Sequence, residues 1–183
     1  MFETSDEKLI SKALQGNERA WVSLVKRYEK RIYNYSLRMT GATDEAMDLV
    51  QEIFISVYRN LPNYRGEGVF AAWLFRIASN RCTDFLRKRS RSPLHQYNDD
   101  VSELSSERMA DEDLHRDQAN RSVLKMMSSL SQEQRQVIEM KLFQNMTFEE
   151  IEGYTGLSAN TAKTRFYAAL KKLKNDLELS YAS

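Results

Sequence analysis

The sequence predicts an all-α protein built as two small helical domains, and three observations carry that prediction. The 183 residues include only 6 Gly and 2 Pro, so few points interrupt regular structure. Apolar residues recur at spacings of three and four almost throughout, the period of one helix face. Capping signals stand where several of those stripes begin. A composition that is 42% hydrophobic and 29% charged permits a core, but each domain's share of it is small.

The elements follow in order. Thr4 and Glu7 have capping-box spacing and open a short helix holding Leu9, Ile10, Ala13 and Leu14. Gly16-Asn17 turns the chain. A long second helix carries Trp21, Leu24, Val25, Tyr28, Ile32, Tyr35 and Met39 on one stripe and stops at Gly41. The third runs from about Asp44 to Leu61, closed by Pro62, and buries Leu49, Val50, Ile53, Val57 and Leu61. A loop with Gly66 and Gly68 leads to a fourth helix, from about Phe70 to Arg89, burying Leu74, Ile77, Ala78 and Phe85. From Ser90 the pattern fails: the stretch to about Asp113 is rich in Ser, Asp and Glu, and residues 92–116 read as a flexible acidic linker. Helical pattern resumes with Val123, Leu124, Met127 and Leu130. Ser131 then caps a helix through Phe143 that buries Val137, Ile138, Met140 and Leu142. The predicted domains are residues 1–91 and 117–183.

The end of the chain reads as a helix-turn-helix. Thr147 and Glu150 form a capping box, Thr155-Gly156-Leu157 is a tight turn, and Ser158 caps a second helix. On that helix Ala162, Phe166, Ala169 and Leu173 make an apolar stripe. Asn160, Thr161, Lys163, Thr164, Tyr167 and Lys171 lie on the other face. In such a unit the second helix enters the major groove of DNA, with its N-terminal residues at the base edges. An ordinary helical hairpin with a solvated lysine face would lack this agreement of caps, turn and charge.

Charge distribution supports nucleic acid as the partner even though the formal net charge is only +1. Residues 65–91 carry seven cations against Glu67 and Asp84, a net +5. Residues 158–174 carry five cations and no acid, again +5, while residues 93–118 sum to −6. In the first basic stretch Tyr64, Phe70, Trp73 and Phe75 interleave with Arg65 and Arg76, just ahead of Asn80, Arg81 and Arg87-Lys88-Arg89. Cations that hold phosphates beside rings that stack on bases suit single-stranded or opening DNA, and an unpaired base could enter a pocket at the glycine loop. Trp73 and Phe75 serve equally well as core residues. The third helix also carries a polar strip, Asp48, Gln51, Glu52 and Tyr58, which spacing alone would leave as solvated surface.

Other functions find little support. Cys82 is the only cysteine, so an internal disulfide is excluded and helix packing is its expected role. His95 and His115 have no second thiol or helical partner, so no metal site is expected, and no cofactor. The acidic start and the lack of a long apolar run predict a cytoplasmic protein without membrane insertion. There is no catalytic triad and no phosphate-binding loop, so an enzyme is not expected.

Here the residues resemble a known family, the bacterial extracytoplasmic-function (ECF) sigma factors, two-domain specificity subunits of RNA polymerase. Asp48-Leu49-Val50-Gln51-Glu52-Ile53-Phe54 resembles the family's polymerase-binding helix. Tyr64-Arg65-Gly66 and Phe70 to Asn80 resemble its segment for the proximal promoter element and strand melting. Leu157 to Arg165 resembles its distal-element recognition helix. The resemblance spans nearly all of the chain except the linker.

It implies core-polymerase contacts at Met47, Asp48, Gln51, Glu52, Phe54 and Tyr58. It implies proximal-element and melting contacts at Tyr64, Arg65, Phe70, Trp73, Arg76, Asn80, Arg81 and Arg87. Distal-element contacts fall on Lys141, Asn160, Thr161, Lys163, Thr164, Arg165, Tyr167 and Lys171. Two departures bear on the distal element: Ala168 stands where many members have arginine, and Gly153-Tyr154 replaces a more helix-favouring pair. The implied function is promoter recognition, strand opening and initiation at a subset of promoters. The partners are core polymerase and promoter DNA, and the sequence leaves open an anti-sigma factor. A stand-alone helix-turn-helix regulator would leave the aromatic-basic helix unused. An enzyme acting on nucleic acid would need clustered acids or histidines in a basic pocket.

Overall fold

A computed structural model of the chain describes residues 4–66, 68–91 and 121–181. The predicted linker, with His95 and His115, lies outside the described residues, as does Glu67. Every regular element among the described residues is helical. In order they are α1 (Asp6–Leu14), α2 (Glu18–Thr40), α3 (Thr43–Asn60), a 3₁₀ turn (Leu61–Asn63), α4 (Phe70–Arg91), α5 (residues 121–128), α6 (Gln132–Ile138) running into a π-turn (Glu139–Phe143), α7 (Phe148–Thr155) and α8 (Ala159–Tyr181). Their contacts divide them into two units, residues 4–36 with 44–91 and residues 37–43 with 121–181.

The first unit buries most of the stripes that periodicity marks, while Val50, Ile77 and Phe85, expected in them, are only half-buried. Leu24, Tyr28, Ile32 and Tyr35 of α2 meet Ala46, Leu49, Ile53 and Val57 of α3 and Leu74, Phe75, Ala78 and Cys82 of α4 in one core. The start of α1 differs from expectation. Its N-cap is Ser5 rather than Thr4. Asp6 is drawn inward, where it takes the Arg27 guanidinium and the Tyr28 hydroxyl. That long-range anchor outweighs the local capping box. Burial, with the Asp6 hydrogen bond second, holds the Tyr28 phenol well above its usual range, so it stays a neutral donor.

In the second unit Thr147 and Glu150 form the expected capping box, and Ser131, expected only as a cap, forms a second one with Gln134. Gly156 caps α7 at φ +73, the left-handed conformation that favours glycine. Ser158 accepts from the Thr161 amide at 3.2 Å and starts α8. The expected helix from Ser131 to Phe143 does not stay regular. Its α-turns end at Ile138, and the π-turn closes with Gln144 N–H on the Glu139 carbonyl at 3.1 Å. Glu139 accounts for the change. Its carboxylate is completely buried, accepts from Arg38 at 2.6 and 2.7 Å and takes a third bond from Gln144 at 2.9 Å. A buried carboxylate needs such partners, and the wider turn supplies Gln144. The widened turn leaves Leu142 exposed rather than in the predicted stripe.

Gly153 is helical, solvent-exposed and without a neighbour within 4 Å of where a Cβ would stand. Gly153→Ala should therefore raise stability by about 0.5–1 kcal/mol, the helix-propensity difference, read as a higher urea midpoint at unchanged slope.

Candidate polymerase and promoter interface

Three helix faces gather the sequence-predicted site residues. On α3, Asp48, Gln51 and Glu52 are exposed, while Leu49 and Ile53 on the opposite face are fully buried. Met47 and Tyr58 add apolar surface, 53% and 58% exposed, and Phe54 is half-buried. The Trp21 ring of α2 stands edge-on to Phe54 and Tyr58, at 6.5 and 5.1 Å between centroids. With Val22 and Ile55 these rings line an open groove of about 850 Å³ bordered by Gln51 and Arg59. The polar strip is thus one side of a mixed surface. Sequence reasoning missed Trp21, Val22 and Ile55 as surface groups. The signal was that Val22 and Ile55 are apolar yet sit off the buried stripes of their helices.

The second face is built around Phe70. The resemblance assigns Phe70 to promoter contact, but the ring is only 3% exposed. It packs against Tyr28, Tyr64 and Trp73 at centroid distances of 5.4 to 5.6 Å and so supports the outer rings from the core. Tyr64 donates to the Gly68 carbonyl at 3.0 Å, which staples the loop. Burial pushes its phenol upward, with the Glu7 and Asp6 charges adding. Phe75 is core: it is buried, edge-on to Tyr35 at 5.8 Å, and lies under the Arg31 guanidinium. Trp73 is half-buried and lines a polar pocket of about 290 Å³ with Arg76, Asn80 and Arg81, so of the two aromatics only Phe75 is fully in the core. Ser56, Asn60, Asn63 and Asp84 complete the wall and were not foreseen. Arg81 donates to the Ser56 hydroxyl at 3.1 Å and Asn60 to the Ser56 carbonyl at 2.8 Å. Arg65, Arg76, Asn80, Arg81 and Arg87 are all exposed.

The third face is the start of α8. Asn160, Thr161, Lys163, Thr164, Tyr167 and Lys171 are exposed, and Arg165 is half-buried. Two hydroxyls are already engaged: Thr161 pairs with Ser158 at 2.8 Å, and Thr164 donates to the Asn160 carbonyl at 2.9 Å. Asn160, Lys163 and Tyr167 lie at helical spacings of three and four and share one face. Glu152 of α7 accepts from the Ala159 amide at 3.1 Å, and Phe148 meets Phe166 at 5.7 Å, which fixes the two helices of the motif to each other. Lys141 is half-buried. Its ammonium donates to the Met146 carbonyl at 2.9 Å and lies over the Phe148 ring, so it braces the turn into α7. Among the described residues no group of three or more His, Cys, Asp or Glu could hold a metal, and no helix is long and apolar enough to cross a membrane.

Comparison with known proteins meets these faces in the same order. The family model for Sigma-70 region 2 matches residues 24–92, and that for Sigma-70 region 4 matches residues 120–173. The RNA polymerase sigma-H factor of Pseudomonas aeruginosa is 26% identical over 97% of this chain and 96% of its own. The ECF RNA polymerase sigma-E factor of Escherichia coli is 25% identical over 96% of each. This chain belongs to the ECF RNA polymerase sigma factors. It serves promoter-directed transcription initiation. Two solved structures share the fold: CnrH in complex with the cytosolic domain of CnrY, at TM-score 0.69 and 23% identity over 95% of this chain and 97% of that one, and the sigma factor RpoE with the anti-sigma factor NepR from Bartonella quintana, at 0.67 and 22% over 84% and 94%.

The burial difference between the two aromatics of α4 has a direct consequence. Phe75→Ala should cost about 3–5 kcal/mol of stability, as for a large ring removed from a packed core. Trp73→Ala should cost clearly less in the same urea titration and show its main effect in DNA opening.

Proposed function

We propose that the three faces divide the work of initiation. The outward strip of α3, Asp48, Gln51 and Glu52 with Met47, Phe54 and Tyr58 beside it, docks on core polymerase. Tyr64, Arg65, Trp73, Arg76, Asn80, Arg81 and Arg87 engage the proximal promoter element and the separating strands. Asn160, Lys163 and Tyr167 read base edges of the distal element, with Thr161, Thr164, Arg165 and Lys171 around them. The observation that carries this reading is the division of each matched helix into a buried apolar face and an exposed polar face holding the motif residues.

In this reading the functional pieces are residues 1–91 and 117–183, joined by the acidic stretch 92–116. Each piece offers only a few base or phosphate contacts. Non-specific binding of that kind is weak, about 10⁻⁴–10⁻⁶ M at physiological salt. Docking on polymerase makes the second contact effectively intramolecular, which is how two weak readers select a promoter together. The protein acts by binding rather than by chemistry of its own, and it works in the cytoplasm, where polymerase is. An anti-sigma factor is a further partner: the two solved relatives are both bound to other chains, in one case a named anti-sigma factor.

Two experiments test the division. Asp48→Lys with Glu52→Lys should abolish co-purification with core enzyme while circular dichroism shows unchanged helix, since both side chains are exposed and the core beneath is untouched. A folded double variant that still bound core and transcribed would remove α3 as the docking face. Lys163→Ala should weaken use of the distal element by about 1–3 kcal/mol, the worth of one base contact. Asn80→Ala should instead reduce permanganate reactivity of the opened strands and leave closed-complex binding nearly intact. Equal footprints in the Asn80 variant and the parent would contradict that split.

A further inference from the structure

The pocket beside Trp73 carries a feature that strand handling by cations alone does not explain. Among the described residues that line it, Asp84 is the only carboxylate. It stands one helical turn from Asn80 and Arg81. No side-chain hydrogen bond or ion pair engages Asp84, Asn80 or Arg76 among the described residues, so a carboxylate, an amide and a guanidinium all remain available to a ligand. The half-buried Trp73 indole forms a flat apolar wall, and Asn63 of the 3₁₀ turn closes the side across from α4.

This mixture decides what can enter. A phosphate would gain from Arg76 and Arg81 but would meet the Asp84 charge at short range, so an anion is disfavoured inside. A flat neutral group with both donors and acceptors is favoured, and in a protein that opens DNA that group is an unpaired base stacked on an aromatic wall. The four bases differ in what they offer a carboxylate. Guanine presents two donors on one edge, N1–H and the N2 amine, and accepts at O6 and N7. Adenine and cytosine offer one exocyclic amine, and thymine one ring N–H. A carboxylate that can accept two parallel hydrogen bonds while a guanidinium donates to O6 therefore matches guanine best.

We propose that this pocket takes one unpaired guanine of the opened promoter strand and that Asp84 is the residue that specifies it. The inference rests on the proposed strand-opening role of α4 and adds a base identity to it. The test uses the full chain and four single-stranded oligothymidylates identical except for one central A, C, G or T, with binding read by fluorescence anisotropy at low salt. The guanine oligonucleotide should bind tightest. Asp84→Asn, an exposed change that leaves the core alone, should erase that advantage, a loss on the order of 10-fold, as expected for one bidentate base contact. Lys125→Ala in α5, an exposed residue of none of the three faces, should leave the advantage in place. A second arm reconstitutes the chain with core polymerase on promoters varied base by base through the proximal element. Transcript yield should favour guanine at one position in the parent protein and lose that preference in Asp84→Asn. Equal binding of all four oligonucleotides, or a guanine advantage that survives Asp84→Asn, overturns the proposal. A guanine advantage on oligonucleotides with no transcription from any promoter would support the pocket and count against the strand-opening reading, so the two failures are distinguishable.

Discussion

The side of the first unit proposed to meet DNA depends on the burial of one ring, Phe70. Four aromatic side chains from three places in the chain, Tyr28 of α2, Tyr64 of the loop, and Phe70 and Trp73 of α4, meet with centroids 5.2 to 5.6 Å apart. Each such pair adds about 0.5–1.5 kcal/mol beyond its area, and tilted or edge-on contacts also fix ring orientation. A loop that has two glycines and no regular structure would otherwise be the least ordered part of the unit. Here Phe70 holds it from below while the Tyr64–Gly68 hydrogen bond closes it from above. Tyr28 is in turn tied to Asp6, so the short α1 belongs to the same assembly. A ring buried to this degree can serve a ligand only through the neighbours it positions, and the open pocket face of Trp73 is the result.

Helix α4 shows how one element can serve a core and a ligand together. Leu74, Phe75, Ala78 and Cys82 are buried at helical spacing, and Arg76, Asn80, Arg81 and Arg87 point outward between them. Like charges crowded on an exposed face repel one another, yet water and salt screen them. The face therefore costs little in folding, and in the proposed reading its cations displace condensed counterions from the DNA they meet. The exposed pairs that do form, such as Lys174 with Glu178 on α8 at 3.7 Å, contribute little to stability and lie beyond the motif residues.

Much of this was legible in the chain, because the features concerned are local. The helices, the Ser131 cap, the Thr147–Glu150 capping box, the Gly156 turn and the outward placement of Asn160, Lys163 and Tyr167 follow from periodicity and short-range chemistry. The misses share a different cause. Ser5 displaces Thr4 as a cap because Asp6 has partners twenty-one and twenty-two residues away, at Arg27 and Tyr28. The helix after Ser131 widens because Glu139 is held by Arg38, about a hundred residues away. Phe70 and Trp73 are three residues apart and chemically alike, and only tertiary packing makes one core and the other surface. The pocket wall draws Ser56, Asn60 and Asn63 from one side and Asp84 from the other, a juxtaposition that no window of sequence contains.

The near-neutral total charge becomes intelligible on the same grounds. A net charge of +1 would give weak steering to DNA if it were spread evenly. Concentrated as +5 on residues 65–91 and +5 on residues 158–174, it gives two strong local patches, and the acids elsewhere in the chain bring down only the sum. A protein so built gains little from binding DNA indiscriminately through its whole surface, because each patch alone neutralises few phosphates and the acidic stretch between them opposes a third contact. In the proposed reading selectivity rests on the few uncommitted polar groups along α4 and at the start of α8. Two of the candidate hydroxyls on α8, Thr161 and Thr164, already bond within the helix. What remains on the shared face proposed to read bases is an amide, an ammonium and a phenol, with Arg165 and Lys171 beside them. A set that small discriminates between sequences only when something else holds it in register, and for a sigma factor that support is the polymerase itself.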